Sequence, residues 1–192
     1  MDPINIIVGF NVIATFGANF SGARKGLRSK VIAPKEKPKT YLQSLPLVLS
    51  TISLVVIILG VFQIFTFGYS PEVMNIRLAG LAAYLIFSWI QVWAYRSLGE
   101  IYSQEIMILR DHKLIKKGPF KIIRHPQYLS QILIDLGAGL AILGYVLIPL
   151  AIIEVPFLIM RARLEDMLLE KNFKDEFREY KKHSGFMIPF IG

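Results

Sequence analysis

The fold is decided by an uncharged apolar stretch in the first half of the chain, Leu45 to Phe67, which reads LPLVLSTISLVVIILGVFQIFTF. It exceeds the ~20 residues that a helix needs to cross the ~30 Å hydrocarbon core of a bilayer. A second stretch, Met74 to Tyr95, is nearly as long and holds one charge. The composition agrees, because 54% of the 192 residues are hydrophobic and the mean hydropathy is +0.49. The sequence therefore predicts an all-α integral membrane protein and excludes a secreted or cytosolic globular one.

Three further apolar stretches bring the predicted number of spans to five. Ile4 to Phe20 is predicted to be a retained span, because no basic segment or signal-peptide cleavage site accompanies it. Gln127 to Leu143 and Tyr145 to Met160 lie on either side of Gly144, and each is shorter than a full crossing requires. The prediction is a polytopic protein with five transmembrane helices, in which helices four and five form a tight hairpin (127–160).

The positive charge predicts an orientation. The chain has 22 Lys and Arg against 14 Asp and Glu, and the basic residues collect in loop 21–44 and in the segments 96–126 and 161–183. Because such residues accumulate in cytoplasmic loops, the N-terminus is expected outside and the C-terminus inside. Residues 1–95 are then predicted to form three N-terminal spans, and residues 96–192 are predicted to form the catalytic region. The charge excess follows from topology, so no nucleic-acid partner is expected.

Several kinds of site are excluded or disfavoured by composition. The absence of cysteine excludes disulfides, thiolate nucleophiles and lipidated cysteines. The chain has no cysteine ligands to place beside His112 and His183, so no metal site is expected there. Neither the dinucleotide-binding glycine motif nor the phosphate-binding loop occurs, so a nucleotide-type cofactor would need another kind of pocket.

Two polar patterns lie where apolar helices meet the cytoplasmic segments. Arg124, His125 and Pro126 precede predicted helix four, whose first amide groups favour an anion beside Arg124. Arg161 and Glu165 are four residues apart on one helical face, where an arginine can bind a carboxylate or phosphate through two hydrogen bonds. From spacing alone, both patterns are also typical of interfacial anchors and a surface ion pair.

Two carboxylates, Asp135 and Glu154, lie inside the predicted hairpin. Ionisable groups at this depth are either functional or hydrogen-bonded partners of buried groups. We expect a structural hydrogen bond here. The segment 161–183 is expected to be an amphipathic helix, with aromatic residues such as Phe173 and Phe177 packed on its buried side.

Several ordered motifs in the last ninety residues resemble the isoprenylcysteine carboxyl methyltransferase family, in a short form of the prokaryotic type. They are residues 112–128 (HKLIKKGPFKIIRHPQY), 161–166 (RARLED), 177–180 (FREY) and the closing Ile188-Pro189-Phe190. The chain departs from the family pattern at four positions, with Ser130 in place of Gly, Asp166 of Glu, Phe120 of Tyr and Glu105 of Gln. The same helix start and hairpin occur in membrane phospholipid methyltransferases.

The resemblance implies a site for S-adenosyl-L-methionine, with S-adenosyl-L-homocysteine as product, formed by the cytoplasmic loop and the C-terminal helix. The implied cofactor-binding residues are Glu105, His112, Lys113, Leu114, Ile115, Gly118, Phe120, Arg124, His125, Pro126, Gln127 and Tyr128. The implied catalytic residues are Arg161, which would orient the acceptor carboxylate, and Glu165, which would orient Arg161 or the cofactor. Since a carboxylate acceptor is already ionised, positioning would do most of the work.

The function implied is methylation of the carboxylate of a prenylated cysteine, with the lipophilic acceptor entering from the bilayer. Three alternatives stay open from the sequence: a phospholipid or amine headgroup methyltransferase, which would need a base, an NADPH-dependent membrane reductase, and a lipid-binding or transport protein that grips anionic headgroups. The membrane would be the cell membrane in a prokaryote and the endoplasmic reticulum in a eukaryote, with the active site cytoplasmic.

Overall fold

The computed structural model describes residues 2–26, 34–99, 102–189 and 191–192, with the side chains of residues 19–26 left out of the description. The prediction of a mostly helical chain is confirmed. The elements in chain order are α1 (Pro3–Gly26), β1 (Pro34–Glu36), α2 (Leu45–Val61), α3 (Met74–Leu98), β2 (Ile108–Leu109), α4 (Pro126–Ile142) and α5 (Leu147–His183). Part of the basic loop 21–44, and Phe190 of the closing motif, lie outside the described residues.

Two helices are long and apolar enough to cross a membrane, Tyr41–Val61 and Pro71–Leu98 when the short 3-10 turns that precede α2 and α3 are included. A shorter apolar helix covers Pro3–Ala18. Large apolar side chains such as Ile13 and Trp89 point outward from α1 and α3, as expected of helices that face lipid. The chain is therefore a membrane protein, while the count of five spans and the orientation stay predictions.

Some helix boundaries differ from the prediction. The predicted fifth span continues past Met160 into the predicted amphipathic helix, and the two form α5, because no glycine or proline interrupts the chain at Met160. Its break lies farther on, at Lys174, which has a φ of 45°. Helix α2 ends at Val61, earlier than predicted, since Gln63 and Phe65 take left-handed backbone conformations. A short turn after Ile142 joins α4 to α5, with Leu143 at a φ of 52°.

Glycines bring α3 and α4 into close contact. A Cβ atom at Gly80 would lie 2.8 Å from the carbonyl oxygen of Gly137, and one at Gly137 would lie 2.7 Å from the amide nitrogen of Tyr84. Small residues of this kind let helix backbones approach closely in membranes. The main apolar core surrounds this crossing and includes residues of all five helices, among them Val8, Ile57 and Leu147.

Arg77, the charged residue within the apolar part of α3, is buried and forms an ion pair. Arg77 is 1% exposed, and its Nη2 atom lies 2.5 Å from a carboxylate oxygen of Asp2. Its Nε atom donates to the carbonyl oxygen of Ala141 at 2.9 Å. Arg77 therefore ties α3 to both the start of α1 and the end of α4.

Candidate active site

A cavity of about 240 Å³ lies between the start of α4, the middle of α5 and the irregular segment 102–108. Pro126 begins α4 directly after His125, because proline suits the first turn of a helix. Most of the predicted site residues line the cavity: Glu105, His112, Leu114, Ile115, Phe120, Arg124, His125, Gln127, Tyr128, Arg161 and Glu165. The tertiary structure thus brings together residues from three separate parts of the chain.

Three predicted cofactor-binding residues do not line this cavity. Lys113 is exposed, and Pro126 is buried at the start of α4. Gly118 packs against α3 with a φ of 59°, and a Cβ atom there would lie 2.4 Å from the hydroxyl oxygen of Ser97. A side chain at position 118 would therefore meet both backbone strain and a clash.

Tyr128 joins the two predicted catalytic residues. Its hydroxyl group donates a hydrogen bond to Glu165 and accepts one from the Nε atom of Arg161 at 2.8 Å. Arg161 and Glu165 lie 3.6 Å apart, as expected for an ion pair one helical turn apart. Because Tyr128 belongs to α4 and the other two residues to α5, this triad connects both helices at the cavity wall.

Beside the triad, Asp166 binds both basic groups that precede α4. One oxygen lies 2.8 Å from Nε2 of His125, and the other lies 3.1 Å from Nε of Arg124. Burial lowers the pKa of His125, but the hydrogen bond to Asp166 and the charges of Asp166 and Glu165 outweigh it and raise the pKa overall. Burial raises the pKa of Asp166, but its bond to His125 and the Arg124 charge outweigh it and hold that pKa below its usual range. The pair is therefore stabilised in its ionic form.

Arg124 is occupied by protein groups. Besides Asp166, its guanidinium group donates to the carbonyl oxygens of Ser184 at 2.6 Å and Gly192 at 3.1 Å. The chain end therefore packs on the start of α4, where the backbone amide of Arg124 also donates to Gly185. The anion that was predicted beside Arg124 is present as the side chain of Asp166.

The first amide groups of α4, which were expected to favour an anion, are partly occupied by the protein itself. The amides of Tyr128 and Leu129 both donate to the carbonyl oxygen of His125 at 3.2 Å. The reason is that His125 is the residue that caps the helix, and the carbonyl of such a residue accepts the first intrahelical bonds. An anion-binding role for this helix start would therefore depend mainly on Gln127.

Residues 34–44 contribute contacts beside the cavity that no sequence motif indicated. Nη1 of Arg161 donates to the carbonyl oxygens of Leu42 at 3.1 Å and Gln43 at 3.4 Å. The strand β1 in this segment pairs with β2 beside the cavity. The sequence carries no motif for these contacts, because carbonyl groups of the backbone, which every residue possesses, form them.

Buried polar atoms in the cavity wall fit the implied cofactor. Oε1 of Gln127 and Nδ1 of His125 are buried without a hydrogen-bond partner among the described residues. The latter lies 3.6 Å from Glu165, too far for a hydrogen bond. At His112, burial lowers the pKa more than the charge of Glu165 raises it, which favours the neutral ring. Oε1 of Gln127 can accept from an amino group, and protonated His125 can donate from Nδ1 to a carboxylate; S-adenosylmethionine has both groups.

A second cavity, of about 360 Å³, lies among α1, α2, α3 and α4. Five residues line both cavities and so form a common wall: Ser50, Tyr95, Tyr102, Gln104 and Gln131. Apolar side chains such as Leu54 and Ile134 line the part of the second cavity between the helices. The two cavities therefore adjoin, one beside the polar triad and one between the apolar helices.

The carboxyl groups within the predicted hairpin are hydrogen-bonded, as expected. Gln131 donates to Asp135 at 3.0 Å, and Ser50 donates to Glu154. Oδ1 of Asp135 and Oε2 of Glu154 are buried without a hydrogen-bond partner among the described residues. The Ser50 bond joins α2 to α5, and both donors, Ser50 and Gln131, belong to the common wall.

Comparison with known proteins agrees with the resemblance found in the sequence. Residues 79–171 match the model of the isoprenylcysteine carboxyl methyltransferase (ICMT) family, so the resemblance predicted from the sequence is confirmed. Both Arg161 and Glu165 lie within the matched residues. A structure of the eukaryotic intramembrane Ras methyltransferase, isoprenylcysteine carboxyl methyltransferase, superposes with a TM-score of 0.62 at 18% identity, covering 100% of this chain and 69% of that one. At this identity the match shows a common fold.

Two curated proteins are similar in sequence. Protein-S-isoprenylcysteine O-methyltransferase of Saccharomyces cerevisiae is 28% identical over 132 residues, which is 65% of this chain and 54% of that protein. The uncharacterized protein YpbQ of Bacillus subtilis is 34% identical over 94 residues, which is 48% of this chain and 56% of that protein. The chain thus spans about half the length of the curated relatives it matches.

Proposed function

We propose that this chain, whose residues 79–171 carry the isoprenylcysteine carboxyl methyltransferase family pattern, transfers a methyl group from S-adenosylmethionine to the carboxylate of a prenylated cysteine at the cytoplasmic face of a membrane. The observation that carries this proposal is the triad of Tyr128, Arg161 and Glu165 in the wall of a cavity that adjoins an apolar one. The arrangement offers a carboxylate-binding group next to space for a lipid chain.

The reaction requires mainly that the protein position the methyl donor and the acceptor carboxylate. S-adenosylmethionine, when bound, supplies an electrophilic methyl group on a positively charged sulfur. A carboxylate acceptor has a pKa of ~3.5 and is ionised at neutral pH, so no residue has to remove a proton. Arg161 would hold the acceptor carboxylate, and Glu165 would keep Arg161 oriented through Tyr128. The unpartnered atoms of Gln127 and His125, together with His112, would hold the donor.

The acceptor's apolar chain would occupy the second cavity. This cavity adjoins the first through the common wall of five residues, and its apolar lining lies between helices of the predicted membrane region. A lipid could therefore place its head beside Arg161 while its chain stays between the helices. The cofactor would arrive at the other cavity from the cytoplasm.

The experiment is methyl transfer from labelled S-adenosylmethionine by the purified full chain in detergent micelles. A small prenylcysteine and phosphatidylethanolamine are offered separately, and the product is tested for release of methanol by base. Base-labile label on the prenylcysteine alone supports the proposal, because only a carboxyl methyl ester behaves in this way. Base-stable label on the lipid would instead assign the chain to the headgroup methyltransferases. Absence of label with both acceptors would refute the proposal.

Two arginines of the same helix provide a matched pair of variants. Arg161→Ala should lower acceptor turnover about 10- to 100-fold, since a hydrogen bond to a charged group contributes about 1.5–3 kcal/mol. Arg163→Ala removes an exposed guanidinium group two residues away and should leave turnover unchanged. Binding of S-adenosylhomocysteine, measured by calorimetry, shows whether each variant retains its site. Full turnover by Arg161→Ala would contradict the assigned role.

A further inference from the structure

Gln43 joins two segments that have no regular pairing with each other at this point. Its side-chain Nε2 atom donates to the carbonyl oxygen of Ile106 at 2.8 Å, and its Oε1 atom accepts from the amide of Ile106 at 2.8 Å. The side chain thus exchanges two hydrogen bonds with one residue, as a neighbouring strand would. Nε2 also lies 3.1 Å from the carbonyl oxygen of Pro38. Gln43 therefore fixes segment 102–108, one wall of the cavity, to segment 38–44.

Arg161 is anchored on both of these segments. A guanidinium group has five N–H donors. One is taken by Tyr128, two Nη1 donors face the carbonyls of Leu42 and Gln43, and one Nη2 donor binds the carbonyl of Gln104 at 2.5 Å. One Nη2 donor is left without a partner among the described residues. The carbonyl groups around it determine where that donor points.

We propose that Gln43 is a positioning residue for methyl transfer: by clamping segment 102–108 to segment 38–44, it sets the direction of the Arg161 donor that remains for the acceptor carboxylate. This inference rests on the proposed function. Because one donor remains, a small shift of either segment would misplace it, and misplacement of a reacting group by about 1 Å can cost about 100-fold in rate.

Among the described residues, no other side chain of one segment both donates a hydrogen bond to the other segment and accepts one from it. Lys37, the residue before segment 38–44, forms an ion pair with Glu105 at 2.8 Å, but both of these side chains are more than 40% exposed. Exposed pairs of this kind contribute little. The pairing of β1 with β2 lies before segment 38–44 and at the end of segment 102–108. Substitution of Gln43 should therefore change the direction of the remaining Arg161 donor.

A Gln43→Glu variant makes the hydrogen bonding pH-dependent. A protonated carboxylic acid has one donor and one acceptor, so it can exchange both bonds with Ile106 as the amide does. The ionised form can only accept, and it places an oxygen against the carbonyl of Ile106. The ratio of variant kcat to wild-type kcat should therefore rise at least 5-fold as the pH falls from about 8 to about 5, through the region above the usual glutamate pKa of ~4.3.

Two further variants complete the test, which follows methyl transfer to a prenylcysteine and binding of S-adenosylhomocysteine by the full chain. Gln43→Leu should lose about 10- to 100-fold in kcat at every pH, with a smaller change in cofactor affinity. Gln63→Glu makes the same substitution in an exposed turn at the far end of α2 and should give a ratio near one throughout.

The outcomes separate this inference from the function on which it rests. A flat pH ratio for Gln43→Glu, or kcat of both Gln43 variants within 2-fold of wild type, would overturn the positioning role while leaving the activity standing. No transfer by the wild type to any acceptor would overturn both. If Gln43→Leu fails to fold, the reversible pH response of a single Gln43→Glu sample still decides the question.

Discussion

Replacement of Asp166 by Asn tests how the start of α4 is held against α5. Asp166 accepts hydrogen bonds from His125 and Arg124, whose side chains are 2% and 3% exposed. Asn keeps the shape of the side chain but removes the charge, and its NH₂ group must face one of the two donors. The substitution therefore leaves a buried guanidinium without its anion.

The expected cost follows from this burial. Removal of one partner from a buried ion pair costs about 3–5 kcal/mol. For a chain of this size each kcal/mol corresponds to about 2–4 °C, so the midpoint of thermal unfolding should fall by about 6–20 °C. Arg124 keeps its carbonyl partners Ser184 and Gly192, which favours the lower part of the range.

The assay is thermal unfolding in detergent, followed by far-UV circular dichroism at pH 7. Asp175→Asn is the matched control, since Asp175 lies on the same helix, pairs with Arg178 at 3.3 Å and is 94% exposed. It should shift the midpoint by less than about 2 °C, as expected of a surface pair. Equal midpoints for the two Asn variants would refute the reasoning. Asp166→Glu restores the charge and should recover part of the loss.

Two further predictions concern pH and the triad. The folded-state pKa of His125 lies above its unfolded value of ~6.5, so its contribution to stability is complete below that pH and is lost as the pH rises through the folded pKa. Between about pH 6 and pH 9 the wild type should therefore lose more thermal stability than His125→Gln, and parallel profiles would contradict this. Tyr128→Phe removes the hydroxyl group between Arg161 and Glu165. Because a hydrogen bond to a charged group contributes ~1.5 kcal/mol or more, we expect the rate of methyl transfer to fall about 10-fold or more. Kinetics equal to wild type would refute the role of the triad.

Local patterns made much of the fold predictable. The uncharged stretch after Ser44 predicts a long apolar helix, and Pro126 predicts the start of α4, because length, hydropathy and proline geometry act within a few residues. The same holds for Arg161 and Glu165, whose spacing of four predicts their ion pair on α5. The helix boundaries were less predictable where Gln63 and Phe65 take left-handed conformations, for which neither residue type is a signal.

The family resemblance named most of the cavity residues, yet it did not say how they contact one another. Asp166 stands where the family pattern has Glu, and only the structure shows that it binds both His125 and Arg124. Arg124, expected beside a bound anion, is occupied by protein groups. Such partners come from residues far apart in the chain, so spacing carries no information about them.

The sequence by itself determined that this is a helical membrane protein with basic segments beside its helices, and that Arg161 and Glu165 share a helical face. Those properties depend on hydropathy and periodicity, which neighbouring residues specify. Only the tertiary structure decided that Asp2 neutralises Arg77 inside the bundle, and that Gln43 and the backbone around it hold Arg161. Contacts of this kind depend on how helices pack and on backbone carbonyl groups that all residues share, and so they arise only when the chain has folded.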